Sequence, residues 1–302
     1  MSHPATQPSN GIPILGVLST PSRIAVVVTV VLALATILTD VVLHLFPPTV
    51  VFLMAAVSIL GLAWVVGLGT ERLGAISGPQ VGGILNATFG NIAELIIAFF
   101  ALQAGLVEVV KASLTGSIIG NLLLVLGASV LLGGLKNGTQ TFSSKIAGSN
   151  AALLVLAAIG LFIPAVFALS SSSGHGRLVE ESVLIALLLI VGYVISLVFQ
   201  FTNPATTLGG HEPAAGHGGP AWTGKTAVVV LLTAAGLLAF TSEILVCSIE
   251  PFIEQFGLSE FFVGVVLIPT IGNLAEHLVA VQLAYKNKME FAMAVAYGSS
   301  LQ

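Results

Sequence analysis

Charge is what this sequence lacks most. Of 302 residues, only 7% are Asp, Glu, Lys or Arg, while 56% are hydrophobic and the mean hydropathy is +1.07. Soluble domains carry about 25% charged residues. So few charges do not cover the surface of a soluble fold, and the chain reads as an integral membrane protein. Cysteine is nearly absent as well. The lone Cys247 lies in an apolar run, which excludes a disulfide framework and a cysteine-based zinc site. A basic stripe for nucleic acid is missing. So is an H-E-x-x-H motif or a nucleophile paired with a base, which argues against an intramembrane enzyme. No Lys or Arg precedes Arg23, and no small-residue cleavage site follows a short apolar core, so residues 1–22 read as a disordered tail and not as a signal peptide.

Long apolar runs are what the sequence has in abundance. A bilayer core of about 30 Å needs about 20 apolar residues per helix. Eight spans are predicted, near 24–45, 49–69, 81–103, 108–133, 147–169, 179–200, 225–249 and 261–284, and a ninth starts near 290. With the N-terminus in the cytoplasm, Arg23, Arg72, Lys136, Lys145, Lys225, Lys286 and Lys288 fall at cytoplasmic ends. Only Lys111 and Arg177 fall outside, which satisfies the positive-inside rule. The segment near 250–260 is then an external loop carrying Glu250, Glu254 and Glu260. Residues 201–224 are rich in Gly and Pro and read as a flexible cytoplasmic linker; the spacing of His211, Glu212 and His217 matches no defined metal site.

The chain also repeats itself. Residues 81–120 align without a gap on residues 263–302, with 13 of 40 positions identical. Most identities are Gly, Asn, Glu, Ser and Thr, which a shared apolar composition does not produce. The copies begin on the third and eighth spans, five apart, and an odd offset inverts a repeat in the membrane. Inverted repeats with ion sites at the bilayer midplane are a transporter plan. The offset predicts partners for residues 121–200 at about 303–382, so the 302-residue chain reads as ending inside the ninth span, with about two further helices expected beyond it.

Each copy carries Gly-Asn-x-x-Glu: Gly90, Asn91 and Glu94 in the first, Gly272, Asn273 and Glu276 in the second. Ionisable residues inside a membrane are costly and mark function. The Gly loosens the helix and frees carbonyl oxygens. Asn and Glu three apart share a helix face. Two such helices would supply an oxygen cage for a hard cation such as Ca²⁺. Two close carboxylates in low dielectric must be neutralised by a cation or by protons. Competition between the two is the minimum physics of antiport.

The following helix places Ser113, Ser117 and Asn121 on one stripe, with Gly116 and Gly120 as a small-xxx-small surface. Ser299 and Gln302 stand in the comparable place of the second copy. His277 is a candidate proton carrier, a brace for Glu276, or a packing residue. Glu71 and Glu243, each after a hydroxyl residue, are candidate proton relays, with an interfacial cap as the other reading of Glu71. Asp40 and His44 read as interfacial.

GNIAELIIAFFAL with GSIIGNLLLVLG, and GNLAEHLVAVQLAYKNK with GSSLQ, resemble the paired signatures of the cation/proton exchanger family, in the Ca²⁺/cation antiporter superfamily. The resemblance runs from about residue 50 to the end. It implies an all-α polytopic antiporter fold of inverted repeats, one helix plus five plus five. On that plan residues 23–48 form the first helix, 49–200 the first repeat and 225–302 an incomplete second repeat. It implies Ca²⁺ export or sequestration against protons, with Glu94 and Glu276 as ion-binding acids, backbone oxygens at Gly90 and Gly272, and Asn91, Asn273, Ser117, Asn121, Ser299 and Gln302 as polar pocket positions. The expected partners are Ca²⁺, protons and the bilayer, with room for a homo-oligomer, and no cofactor. The short acidic content of the linker favours a bacterial type in the inner membrane. Na⁺-coupled exchange, monovalent Na⁺ or K⁺ exchange against protons, and a non-transporting fragment stay open as alternatives.

Overall fold

A computed structural model describes residues 20–78, 81, 85, 88–170, 175–202 and 222–301. Gln302 and the 203–221 stretch, with His211, Glu212 and His217, lie outside the described residues.

Everything described is helix or short connection, as expected where a bilayer offers backbone groups no water and each must be satisfied within its own segment. In chain order the helices are α1 (Thr20–Ile37), α2 (Pro48–Ser77), α3 (Ile92–Gln103), α4 (Val107–Ile119), α5 (Leu126–Asn137), α6 (Ser144–Ser170), α7 (His175–Thr202), α8 (Gly224–Cys247), α9 (Ile249–Phe256), α10 (Ile268–Tyr285) and α11 (Met289–Leu301). Three π-helical segments interrupt them. Leu38–Leu43 follows α1, Gly120–Val125 joins α4 to α5, and Val263–Leu267 leads into α10. Six described stretches are long and apolar enough to cross a membrane, among them Val107–Asn137 and Glu260–Tyr285.

Three expectations change. The span expected over 81–103 is helical at positions 81, 85, 88 and 89 and again over Ile92–Gln103, but a turn at Gly90 and Asn91 interrupts it. The external loop near 250–260 is instead mostly the short helix α9, which buries Ile249 and Phe252 and exposes Glu250 and Glu254. Its i, i+3 apolar spacing is the signal that was there to be read. Glu71, expected at the end of its span, lies well inside α2, which runs on to Ser77.

The chain forms two compact units, each drawing on both halves of the sequence: residues 1–110 with 213–260, and residues 111–212 with 261–302. In the first, α2 packs along α8 and α9 as antiparallel neighbours. Phe52 stacks on Phe252 with ring centroids 4.1 Å apart, Thr49 hydrogen-bonds Gln255, and Gly69 meets the Leu231 backbone. α1 joins α2 through small and polar groups. Thr36 and Ser58 hydroxyls bond at 3.2 Å, and Gly61 receives the Thr29 side chain. Thr36 and Ser58 are fully buried, and each hydroxyl also has a carbonyl one turn back in reach, so one of the two donates to its carbonyl and accepts from the other hydroxyl.

In the second unit, α10 packs between α5 and α11. The cytoplasmic end expected for α10 is tied down. The Asn137 amide donates to the carbonyls of Ala284 and Tyr285 at 3.2 Å each, and Gln140 donates to Ala284 at 2.8 Å. These amides satisfy carbonyls that a helix end otherwise leaves unpaired. The Lys136 ammonium sits 3.6 Å above the centre of the Tyr285 ring. At mid-helix, α4 comes closest to the π segment before α10. A Cβ on Gly116 would overlap the Val265 carbonyl oxygen and stand 2.6 Å from the Val265 Cα, whereas a Cβ on Gly120 would meet nothing within 4 Å. The small-xxx-small pair therefore splits: Gly116 is an interhelical contact and Gly120 is not.

Backbone cannot yield as a side chain can, so Gly116→Ala forces two helices apart. It is expected to destabilise the fold by about 1–3 kcal/mol, while Gly120→Ala leaves it unchanged or slightly firmer. Thermal unfolding of the two purified variants in the same detergent compares them directly; equal midpoints would contradict this packing.

Candidate functional site

The second unit carries a polar cluster where apolar packing is the norm. Asn121 lies near the middle of the Val107–Asn137 stretch, and Asn273 near the middle of Glu260–Tyr285. Both side chains are about 1% exposed. A buried amide without partners costs several kcal/mol in hydrocarbon, and here the partners come from three helical stretches. The Asn273 amide donates to Ser117 Oγ at 2.9 Å. The Ser299 hydroxyl donates to Asn273 Oδ1 at 3.3 Å. The Asn121 amide donates to Ser299 Oγ at 3.0 Å. His277 Nε2 lies 3.1 Å from Asn121 Oδ1.

Local sequence explains who can meet. Ser117 and Asn121 are four apart, as are Asn273 and His277, so each pair shares a face of its helix. Asn121 falls within the π segment Gly120–Val125 and α10 follows directly on another, and π turns of this kind recur at functional sites because they rotate the side chains around them. Gly116 lets the two backbones close up one residue before Ser117. α11 then delivers Ser299 from its last turn.

Glu276 follows Asn273 by three residues and is half-buried on α10, one residue from His277. Gly272 is buried within the same continuous helix. The expected loosening at the second glycine is therefore absent from α10 and appears upstream as the π segment Val263–Leu267. A glycine inside a packed helix keeps helical geometry when its neighbours satisfy the backbone.

In the first unit the motif does break the helix. Gly90 and Asn91 form a turn, Asn91 stands at the N-cap of α3, and Glu94 lies in the first turn. Unpaired N–H groups and the helix dipole favour a carboxylate there. Glu94 is half-buried, and Ala93 and Ile97 beside it pack inward. The two copies of the motif thus differ in backbone: one opens a short helix and one sits inside a long helix.

The other candidates lie elsewhere in the first unit. Glu71 on α2 and Glu243 on α8 are both exposed from the protein. The hydroxyls before them, Thr70 and Ser242, are buried and make no protein hydrogen bond. Glu243 and Asp40 share the electrostatic surroundings of Cys247, a link between α8 and the π segment after α1 that sequence spacing did not suggest. His44 takes a left-handed backbone conformation at the end of that segment. Among the described residues, no group of three or more His, Cys, Asp or Glu side chains converges as a metal centre.

A family model described as "Sodium/calcium exchanger protein" matches residues 47–202 and 226–302. A relative from Bacillus subtilis (strain 168), described as "Ca(2+)/H(+) antiporter ChaA", is 44% identical over 267 residues, covering 85% of this chain and 74% of the relative. A "Ca(2+)/H(+) antiporter" from Aphanothece halophytica is 41% identical, covering 83% of this chain and 71% of the relative. The solved "Structure of native YfkE" aligns with a TM-score of 0.73 at 39% identity, covering 90% of this chain and 78% of that one. "Crystal Structure of H+/Ca2+ Exchanger CAX" aligns with a TM-score of 0.70 at 14% identity, covering 93% and 71%, which speaks to the fold alone. The all-α membrane architecture is thus shared with solved exchangers, and the chain belongs to the sodium/calcium exchanger protein family, a family of secondary transporters and not of enzymes.

Proposed function

We propose that this protein is a proton-coupled Ca²⁺ antiporter that moves Ca²⁺ out of the cytoplasm, with Glu94 and Glu276 as the exchange acids near the bilayer midplane. The observation that carries the reading is the pairing of a hydrogen-bonded polar lattice at mid-span, beside Glu276, with 44% identity to a Ca²⁺/H⁺ antiporter over most of the chain.

The chemistry follows from charge. Ca²⁺ is the cargo and takes six to eight oxygen ligands. Two carboxylates supply the negative charge that a divalent ion needs in low dielectric. The amide oxygens of Asn91 and Asn273, the hydroxyls of Ser117 and Ser299, and carbonyls at Gly90 and Gly272 supply neutral oxygen. Asn121 braces Ser299, and Gln302 extends the set by its place in the repeat. Without the ion, the same carboxylates must take up protons or face an unpaired charge. Occupancy by Ca²⁺ and by protons is therefore exclusive, and a proton gradient drives Ca²⁺ the other way. Glu71 and Glu243 are the acids proposed to exchange protons with either side, and no cofactor is required. The repeat assigns residues 49–200 and 225–302 to the two halves, joined by the linker 201–224.

The distribution of Lys and Arg supports a cytoplasmic N-terminus. Relatives from Bacillus and cyanobacteria support a bacterial cell membrane, although vacuolar transporters of yeast and plants are also similar at 34–38% identity. Na⁺-coupled exchange on the same oxygen set is the competing reading, since the family description includes sodium. ⁴⁵Ca²⁺ uptake into inverted vesicles under an imposed pH gradient is expected with no Na⁺ present, and to collapse when the gradient is dissipated. Uptake that needs Na⁺ and ignores the pH gradient would sink the proton reading.

Glu94→Gln and Glu276→Gln keep size and hydrogen bonding but remove the charge. Each is expected to lower Ca²⁺-dependent proton movement by about a hundredfold or more, with normal membrane insertion. Robust exchange by either variant would show that its carboxylate is not part of the site.

A further inference from the structure

The four hydrogen bonds of the mid-span lattice all point the same way. Asn121 gives its amide nitrogen to Ser299, so its oxygen is the atom that faces His277 Nε2. Ser299 accepts from Asn121 and passes its own hydrogen to Asn273 Oδ1. Asn273 then gives its amide nitrogen to Ser117. An oxygen facing Nε2 requires a hydrogen on Nε2. The series therefore runs from His277 Nε2–H to Ser117 Oγ, with each donor's neighbour an acceptor.

Resting on the exchange reading above, we infer that His277 is a positioning residue, an Nε2–H donor that sets the direction of the lattice, and that exchanged protons do not run along it. Two of the three groups between His277 and Ser117 are carboxamides. A carboxamide cannot hand a proton from its oxygen to its nitrogen without becoming an imidic acid, an unfavourable form, so Asn121 and Asn273 block a relay. What they do instead is hold orientation. With the direction set, the carboxamide oxygens of Asn121 and Asn273 are fixed as acceptors, each turned toward a donor on a neighbouring residue. A reversed lattice would begin at Ser117 and require a bare Nε2 on His277. The sequence marks the second copy as the one that needs this donor, because the first has Leu95 at the matching place, and Leu95 is 65% exposed.

Glutamine can place an amide N–H near where Nε2 stands, whereas asparagine is too short and leucine donates nothing. With full-length protein in proteoliposomes, His277→Gln is expected to keep Ca²⁺/H⁺ exchange with the KM for Ca²⁺ within about twofold of the parent. His277→Leu and His277→Asn are expected to raise that KM about tenfold, the scale of one lost buried hydrogen bond, with a smaller change in maximal rate. A His277→Gln variant as impaired as His277→Leu, at equal thermal stability, would overturn the inference. The lattice is also read without transport. ¹⁵N spectra of histidine-labelled protein in bilayers, with the His277 signals assigned by difference from His277→Gln, are expected to show the Nε2–H tautomer. An Nδ1–H tautomer, which leaves Nε2 bare, would overturn the inference. Should the parent protein fail to exchange Ca²⁺ for protons, the exchange reading falls while the tautomer still decides the direction of the lattice.

Discussion

A polar group inside a bilayer has no water to fall back on, and the second unit is arranged around that constraint. Asn121 and Asn273 are nearly fully buried at mid-span. Each is stable there only because a hydroxyl from another helix meets it. The helices are consequently tied by specific bonds and not by apolar contact alone, which in lipid supplies little net drive. The close approach at Gly116 and the capping of α10 by Asn137 and Gln140 serve the same end: they hold the motif helix at a fixed rotation and depth.

That fixed geometry gathers ordinary polar residues into one buried cluster at mid-span. Asparagine and serine are weak ligands singly. Held in a lattice, they present oxygen beside the half-buried Glu276. The first copy of the motif reaches its position differently, by a turn at Gly90 and Asn91 and a short helix that starts just before Glu94. Two near-identical sequences therefore adopt two backbones. The difference lies in their surroundings: Gly272 is packed within a long helix, while Gly90 is exposed.

Most of the architecture was legible in order of residues. Hydropathy located the helices from α4 to α8 and α10 to within a few residues, since a membrane helix needs a long apolar run and the sequence has them. The failures were local. α9 was hidden by its acidic residues, and the turn at Gly90 and Asn91 by the apolar residues on either side of it. The stripe Ser117–Asn121 was correctly read as polar, yet the pairing of Gly116 and Gly120 was only half right, because helical spacing alone does not say where a neighbouring backbone comes.

The sequence by itself determined the solvent, the place of most long apolar runs, and the two motifs whose Gly, Asn and Glu cannot be explained by composition. These are properties of residue types and their order along the chain. Tertiary structure decided that Ser117 meets Asn273 across 156 positions, that Asn121 turns its oxygen to His277, and that one motif bends where the other stays helical. Those outcomes depend on how far each helix is rotated when it packs, and the π segments at 120–125 and 263–267 alter that rotation where the alternation of apolar and polar residues gives no sign of it.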